Sequence, residues 1–294
     1  MRYFLLLSLI FSMLSCSNND NDIVQDEQQD QNVELKIKKF TITAVHANNL
    51  RNEYYFDEDA KPIQYFSTLN GIDGVKMDVS YNDSGQLLGV VGVLISEGQT
   101  APWQHTEYGY NSSNEIEQIN RFDEYGSDFG SLTATHFQDS IQVQREFGDD
   151  GDTSFTLIFG VNNMLTQENL EPHAWNPNPT VTKYTYSDGN LINIFSESGG
   201  ITRLDTNFEH DDKKNPLYPV LMRDYKSFIL DDIGLYLALN RTYSYSKNNI
   251  ISYNELGSLR VITYQYNDLG YPISAEVTID GQLYELFSYE YYQE

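Results

Sequence analysis

Cys16 is the only cysteine among the 294 residues. A lone thiol rules out an internal disulfide and a cysteine-rich metal centre, and leaves the chemistry of one sulfur nucleophile. The five histidines (His46, His105, His136, His173 and His210) stand far apart, without an HExxH pair or other close metal-ligand spacing. No GxSxG elbow, P-loop or GxGxxG occurs, so no catalytic residue is nominated. Paired carboxylates can cleave glycosides, but among 43 Asp and Glu a pair has no weight. Asp149, Asp150 and Asp152 form the acidic cluster best suited to Ca²⁺, which takes carboxylate and carbonyl oxygens from turns. The cluster lacks the EF-hand spacing and its distant Glu, and reads first as a solvated hairpin tip; no other cofactor is indicated. Trp103 follows Ala101-Pro102, and Trp175 sits among Pro172, Pro177 and Pro179. An exposed indole in such a loop would stack on a sugar or anchor a protein interface; the plainer reading folds it over a sheet end.

The context of Cys16 gives its sulfur a role. Met1-Arg2 leads into an apolar run from Tyr3 to Leu14, the pattern of a secretory signal. The run is too short to cross a bilayer, which takes about 20 helical residues. Leu14-Ser15-Cys16 resembles the bacterial lipobox, which implies cleavage before Cys16, a diacylglyceryl group on its sulfur and a lipid-anchored mature N-terminus. An ordinary signal peptide containing a cysteine, or an N-terminal core strand, is the alternative. From Ser17 to Asn32 the chain is rich in Asn, Asp, Gln and Glu, with Ile23 and Val24 its only large apolar residues. Such a segment cannot bury enough surface to offset ordering and serves as a tether, reaching roughly 20–25 Å. The expected organisation is a signal peptide over 1–15, an acylated cysteine and acidic tether over 16–32, and one domain over 33–294.

The net charge is −25, from 18 Lys and Arg against 43 Asp and Glu. Such a chain stays soluble and is repelled by nucleic acid.

The elements that must position these residues are short strands marked by aromatics two apart. Tyr184-Thr185-Tyr186 precedes Ser187-Asp188-Gly189-Asn190, and Tyr264-Gln265-Tyr266 precedes Asn267-Asp268-Leu269-Gly270. Tyr108-Gly109-Tyr110 precedes Asn111 to Asn114, Tyr243-Ser244-Tyr245 precedes Ser246 to Asn249, and Tyr81 precedes Asn82 to Gly85. Aromatics at i and i+2 share one strand face. Asn, Asp, Ser and Gly then turn the chain, and an apolar strand returns. Copies recur every 20–30 residues or so, the mark of an array. The fold class is therefore all-β, an antiparallel meander of tandem hairpins forming a curled single sheet, an open barrel or roll. Only Phe228–Leu239 approaches a helical period, suiting a short helix or a loop plug.

The hairpin unit resembles the YD-type repeats of large secreted bacterial β-proteins. It resembles more closely Bacteroidota envelope lipoproteins of unknown function that share a DxKxNP turn and an SxNN turn. Here these are Asp211-Asp212-Lys213-Lys214-Asn215-Pro216 and Ser246-Lys247-Asn248-Asn249, with His210 where that pattern has Tyr. The resemblance implies a β-fold and carries no activity. The acidic patch after Cys16 is similar to those that accompany export to the outer leaflet, so the expected location is the outer membrane, lipid-anchored and surface-exposed. Asp139-Ser140-Ile141 resembles the short O-glycosylation pattern of exported Bacteroidota proteins, making Ser140 a candidate acceptor. The functional expectation is a non-enzymatic binding or scaffold module for a glycan or envelope protein, reached through loops and one sheet face. The alternative is a polysaccharide hydrolase with paired carboxylates.

Overall fold

The computed structural model describes residues 34–146, 152–174, 176–223, 241–255 and 257–292. Among the described residues, eighteen antiparallel strands follow one another in chain order. The first nine are β1 (Ile37–Ala44), β2 (Leu50–Phe56), β3 (Pro62–Leu69), β4 (Asp73–Tyr81), β5 (Leu87–Ser96), β6 (Gln99–Tyr110), β7 (Ile116–Asp123), β8 (Asp128–His136) and β9 (Ser140–Glu146). The second nine are β10 (Thr153–Phe159), β11 (Leu165–Leu170), β12 (Thr180–Ser187), β13 (Asn190–Ser198), β14 (Ile201–Lys214), β15 (Asn248–Glu255), β16 (Ser258–Tyr266), β17 (Pro272–Ile279) and β18 (Gln282–Tyr291). Each pairs with the next, and β1 also pairs with β18, from Ile37↔Tyr291 to Ala44↔Glu285. The expected meander is present, and the curled sheet closes into a barrel. Closure removes both free edges.

The wall has two faces of opposite character. On β9, Ile141 and Val143 are buried while Gln142 and Gln144 are exposed. On β18, Phe287 and Tyr289 are buried while Ser288 and Glu290 are exposed. The period of two follows from the pleat. A round barrel of 16–18 strands leaves a water-filled channel. Here the inward side chains form one apolar cluster running from Phe40 and Met77 through Ile119, Leu132, Ile141 and Leu157 to Val277 and Phe287. Phe40 alone packs against Tyr54, Phe287 and Tyr289.

Turn chemistry follows turn length and not the rim. At the basal rim, where Ile37 and Tyr291 meet, five-residue turns begin with Asp57, Asn82, Asn111 and Asn267. In each, the side-chain oxygen accepts backbone N–H groups two and four residues on, as Asn82 does from Ser84 and Gln86 at 2.9 Å. This is the Asx turn that those residue types favour. At the opposite, distal rim the tight hairpins carry two positive-φ residues, as at Glu97-Gly98 and Asp280-Gly281, the requirement of a type I′ turn. Each kind also occurs at the other rim: the distal Asp123 turn accepts the Tyr125 and Ser127 N–H groups, and the basal Asp188-Gly189 hairpin has two positive-φ residues.

The aromatic that ends a strand at the basal rim has a further role. Tyr81, Tyr110 and Tyr291 each donate their hydroxyl to the carbonyl of the first residue of the preceding strand: Pro62, Leu87 and Pro272, at 2.7–2.9 Å. His136 occupies the same station, and its Nε2 lies 2.6 Å from the Ile116 carbonyl. A carbonyl only accepts, so that ring carries its proton on Nε2. Each latch ties neighbouring hairpins together, which accounts for an aromatic rather than an aliphatic residue there.

One expected copy of the hairpin is overturned. Thr242-Tyr243-Ser244-Tyr245 is not a strand before a turn, because Arg241–Ser244 is helical. It ends an insertion between β14 and β15 whose other described end is α1 (Tyr218–Arg223); the Arg241–Ser244 turn is α2. Leu217, Val220, Leu221, Tyr243 and Tyr245 are buried in the core cluster, and Tyr243 packs edge-on against Phe287. A lumen wider than two opposing layers of side chains requires filling, and that demand overrides local strand preference. Phe228–Leu239, the expected short helix or plug, lies outside the described residues.

Candidate functional site

The wall parts between β15 and β16. Their ladder runs only from Glu255↔Ser258 to Ser252↔Val261. Beyond it β16 stays with β17 as far as Tyr266↔Pro272, while the first half of β15 is held by other partners. The Asn248 amide side chain donates to the Lys213 carbonyl at 3.0 Å, and its backbone N–H donates to Asn190 Oδ1 at 2.9 Å. The Asn249 backbone N–H donates to Asp211 Oδ1 at 3.2 Å, and its side chain donates to the Lys214 carbonyl at 3.3 Å. Ser246 Oγ accepts from the Leu191 N–H at 3.0 Å and bonds His210 Nε2 at 2.9 Å. Burial holds the His210 imidazole below its usual pKa, against the pull of Asp211. Asn215, 5 % exposed, ties the two ends of the insertion together. Its side-chain N–H groups donate to the Tyr243 and Ser246 carbonyls, and its Oδ1 accepts from the Leu217 N–H. The two turn motifs singled out in the sequence thus meet at one place.

Tyr266 bridges the gap at the basal rim, its hydroxyl donating to Asp211 Oδ2 and accepting from Asn249. Burial, then the Asp211 contact, raise that hydroxyl well above the usual tyrosine range. Between this bridge and the ladder lies an open cleft of about 730 Å³, within the 300–1,000 Å³ common for ligand sites. Asn207, Glu209 and Asp211 line it from β14, Ser252 and Asn254 from β15, and Leu259, Val261 and Thr263 from β16. Ser252 Oγ donates to Glu209 Oε2 at 2.7 Å. Tyr253, Tyr264 and Tyr266 form its deeper part; Tyr253 shares a hydroxyl contact of 3.2 Å with Tyr243. Glu285 lies on the inward face of β18, where burial raises its carboxyl pKa against the opposing influence of Arg260, His46 and Tyr243.

The described residues among those nominated from sequence, Trp103, Ser140 and Asp152, do not line this cleft. Trp103 is on β6, half-buried against the core. Ser140 opens β9 beside the fully buried Ile141. Asp152 is exposed just before β10. Cys16, Asp149, Asp150 and Trp175 lie outside the described residues. Beside Trp175, His173 and Asn176 exchange backbone hydrogen bonds at 2.9 and 3.1 Å, and Asn176 anchors to Thr180 and Ser198. Among the described residues no group of three or more His, Cys, Asp or Glu could hold a metal ion. Glu209 and the cleft itself had no signal in the sequence beyond the turn motif that starts two residues later.

No protein-family model matches the chain, and no curated protein is significantly similar to it. Solved structures are. A porin-like protein from Bacteroides uniformis is 12% identical with a TM-score of 0.47, covering 87% of this chain and 98% of its own. A porin-like protein from Bacteroides vulgatus is 13% identical with a TM-score of 0.35, covering 89% and 100%. The Photorhabdus luminescens Tc holotoxin pore is 14% identical with a TM-score of 0.32, covering 83% of this chain and 13% of its own.

Proposed function

We propose that this chain is a lipid-tethered, non-enzymatic binding module of the cell envelope. The observation that carries the reading is the sidedness of the wall. A membrane-spanning barrel is apolar outside and polar within. Here Gln118, Gln142, Gln144, Thr263, Gln265, Ser288 and Glu290 face outward and are exposed, interspersed with exposed apolar residues such as Leu88, Val91 and Ile273, while Phe40, Ile119, Leu157 and Val277 fill the inside. Such a wall favours water around the barrel, so the membrane contact falls to the acyl group on Cys16, with surface display on the outer membrane as the expected setting. The cleft between β15 and β16 then serves as the binding face. Palmitate labelling should mark the protein, and Cys16→Ala should abolish the label and release the chain from the envelope fraction; a variant that stays there refutes the tether. Protease shaving of intact cells tests display.

A hydrolase is the second reading, because Glu209 and Asp211 line one cleft from the same strand, as a pair of catalytic carboxylates would. Release of reducing sugar from envelope polysaccharides, lost in Glu209→Gln, would establish it over binding.

A further inference from the structure

We infer that the cleft between β15 and β16 receives an extended basic peptide segment of a partner protein, added as a strand along β16. The inference rests on the reading of this chain as a binding module and names the ligand class of the same site. Two observations carry it. From Ile262 to Tyr266, β16 is paired with β17 on one edge, while on the other its ladder to β15 ends at Val261. Five residues of strand span about 15 Å, and a strand edge recognises peptide backbone through its alternating N–H and C=O groups. The second observation is the charge of the cleft. Glu209 and Asp211 line it without a Lys or Arg among the lining residues, in a chain of net charge −25. The exposed Glu209 carboxylate at the lip of the strand edge selects Lys or Arg on the facing position of the added segment, and Asp211, held by Tyr266 and Asn249, adds negative charge beside it. Leu259 and Val261, 45 % and 37 % exposed, give the intervening side chains an apolar contact. The acidic tether of this chain is the wrong sign to fill the site. A sugar is served less well, because Tyr253 is buried in the core, Tyr264 packs against it and the Tyr266 ring stacks on Tyr264.

The test uses the full chain in detergent and a labelled, end-capped hexapeptide of alternating Lys and Val, with Glu–Val and Gln–Val hexapeptides as controls. Binding is read by fluorescence anisotropy, and its site by backbone hydrogen exchange. The Lys–Val peptide is expected to bind at least tenfold more tightly than either control and to slow exchange at residues 262–266. Glu209→Lys, on an exposed side chain, should weaken binding at least tenfold, whereas Glu107→Lys, exposed on β6 eight strands away, should change it less than twofold. Equal losses from both reversals would reduce the effect to bulk charge and overturn the inference. So would absent binding, protection elsewhere, protection by a second copy of the chain, or protection of these amides by an oligosaccharide. In that last case the binding-module reading stands and the peptide assignment alone falls.

Discussion

Replacing Asn215 by alanine should loosen the insertion more than any exposed substitution can. The side chain is 5 % exposed and bonds two carbonyls and one N–H, those of Tyr243, Ser246 and Leu217. Alanine leaves all three backbone groups buried without that partner, each at about 1–3 kcal/mol. Partial rescue by other groups places the total at about 3–6 kcal/mol, against roughly 5–15 kcal/mol for a whole domain. At about 2–4 °C per kcal/mol for a chain of this size, the melting temperature should fall by about 6–24 °C. Asn215→Asp is the sharper variant. It keeps an acceptor for the Leu217 N–H but turns a negative oxygen toward two carbonyls, so at neutral pH it should be no more stable than alanine. Protonating that carboxyl should recover part of the loss. Urea and thermal denaturation followed by circular dichroism measure these differences, and limited proteolysis reports whether residues 215–247 open first. A loss below about 1 kcal/mol for alanine, or an aspartate variant as stable as the parent, would show that Asn215 does not hold the insertion.

Tyr110→Phe and Tyr291→Phe each remove one basal-rim latch, on β6 and β18, and should cost about 1 kcal/mol; the two sites lie six strands apart, so the double variant should show the sum, and a neutral result in urea denaturation would remove the latch from the account of the repeat. Because burial raises the Glu285 carboxyl pKa, the folded chain keeps a proton that the unfolded chain has lost. That part of stability is complete below about pH 4.5 and is lost as pH rises through the folded value. Glu285→Gln should therefore melt higher than the parent at neutral pH and show no advantage near pH 4. His210 works the other way: its depressed pKa contributes stability above about 6.5 that is lost as pH falls through the folded value, a slope that His210→Gln should flatten. Trp103→Ala removes an indole packed on the core and should lower stability by about 2 kcal/mol or more, whereas a loss of ligand binding at unchanged melting temperature would make the indole a contact residue.

Sequence by itself determined what depends on residues close together along the chain. Alternation of apolar and polar side chains, aromatics at i and i+2, and the Asp or Asn that opens the turns at 57, 82, 111 and 267 are settled within about five residues, since a strand pleat and an Asx turn are local. Those features were legible, and with them the antiparallel meander. Other features were decided by pairing and filling at long range. Closure rests on β1 meeting β18, where Tyr292 donates to the Phe56 carbonyl 236 positions away. Tyr243 and Tyr245 carry the same local signature as Tyr264 and Tyr266, yet the first pair caps an insertion and the second ends a wall strand, because the lumen has to be filled. The cleft follows from the same competition. Asn248 and Asn249 read as turn residues, and only the folded barrel turns their side chains to the Lys213 and Lys214 carbonyls and the Asn249 N–H to Asp211, drawing β15 away from β16. A polar side chain finds its partner among all those the fold brings within 3 Å, and sequence neighbours are a small part of that set.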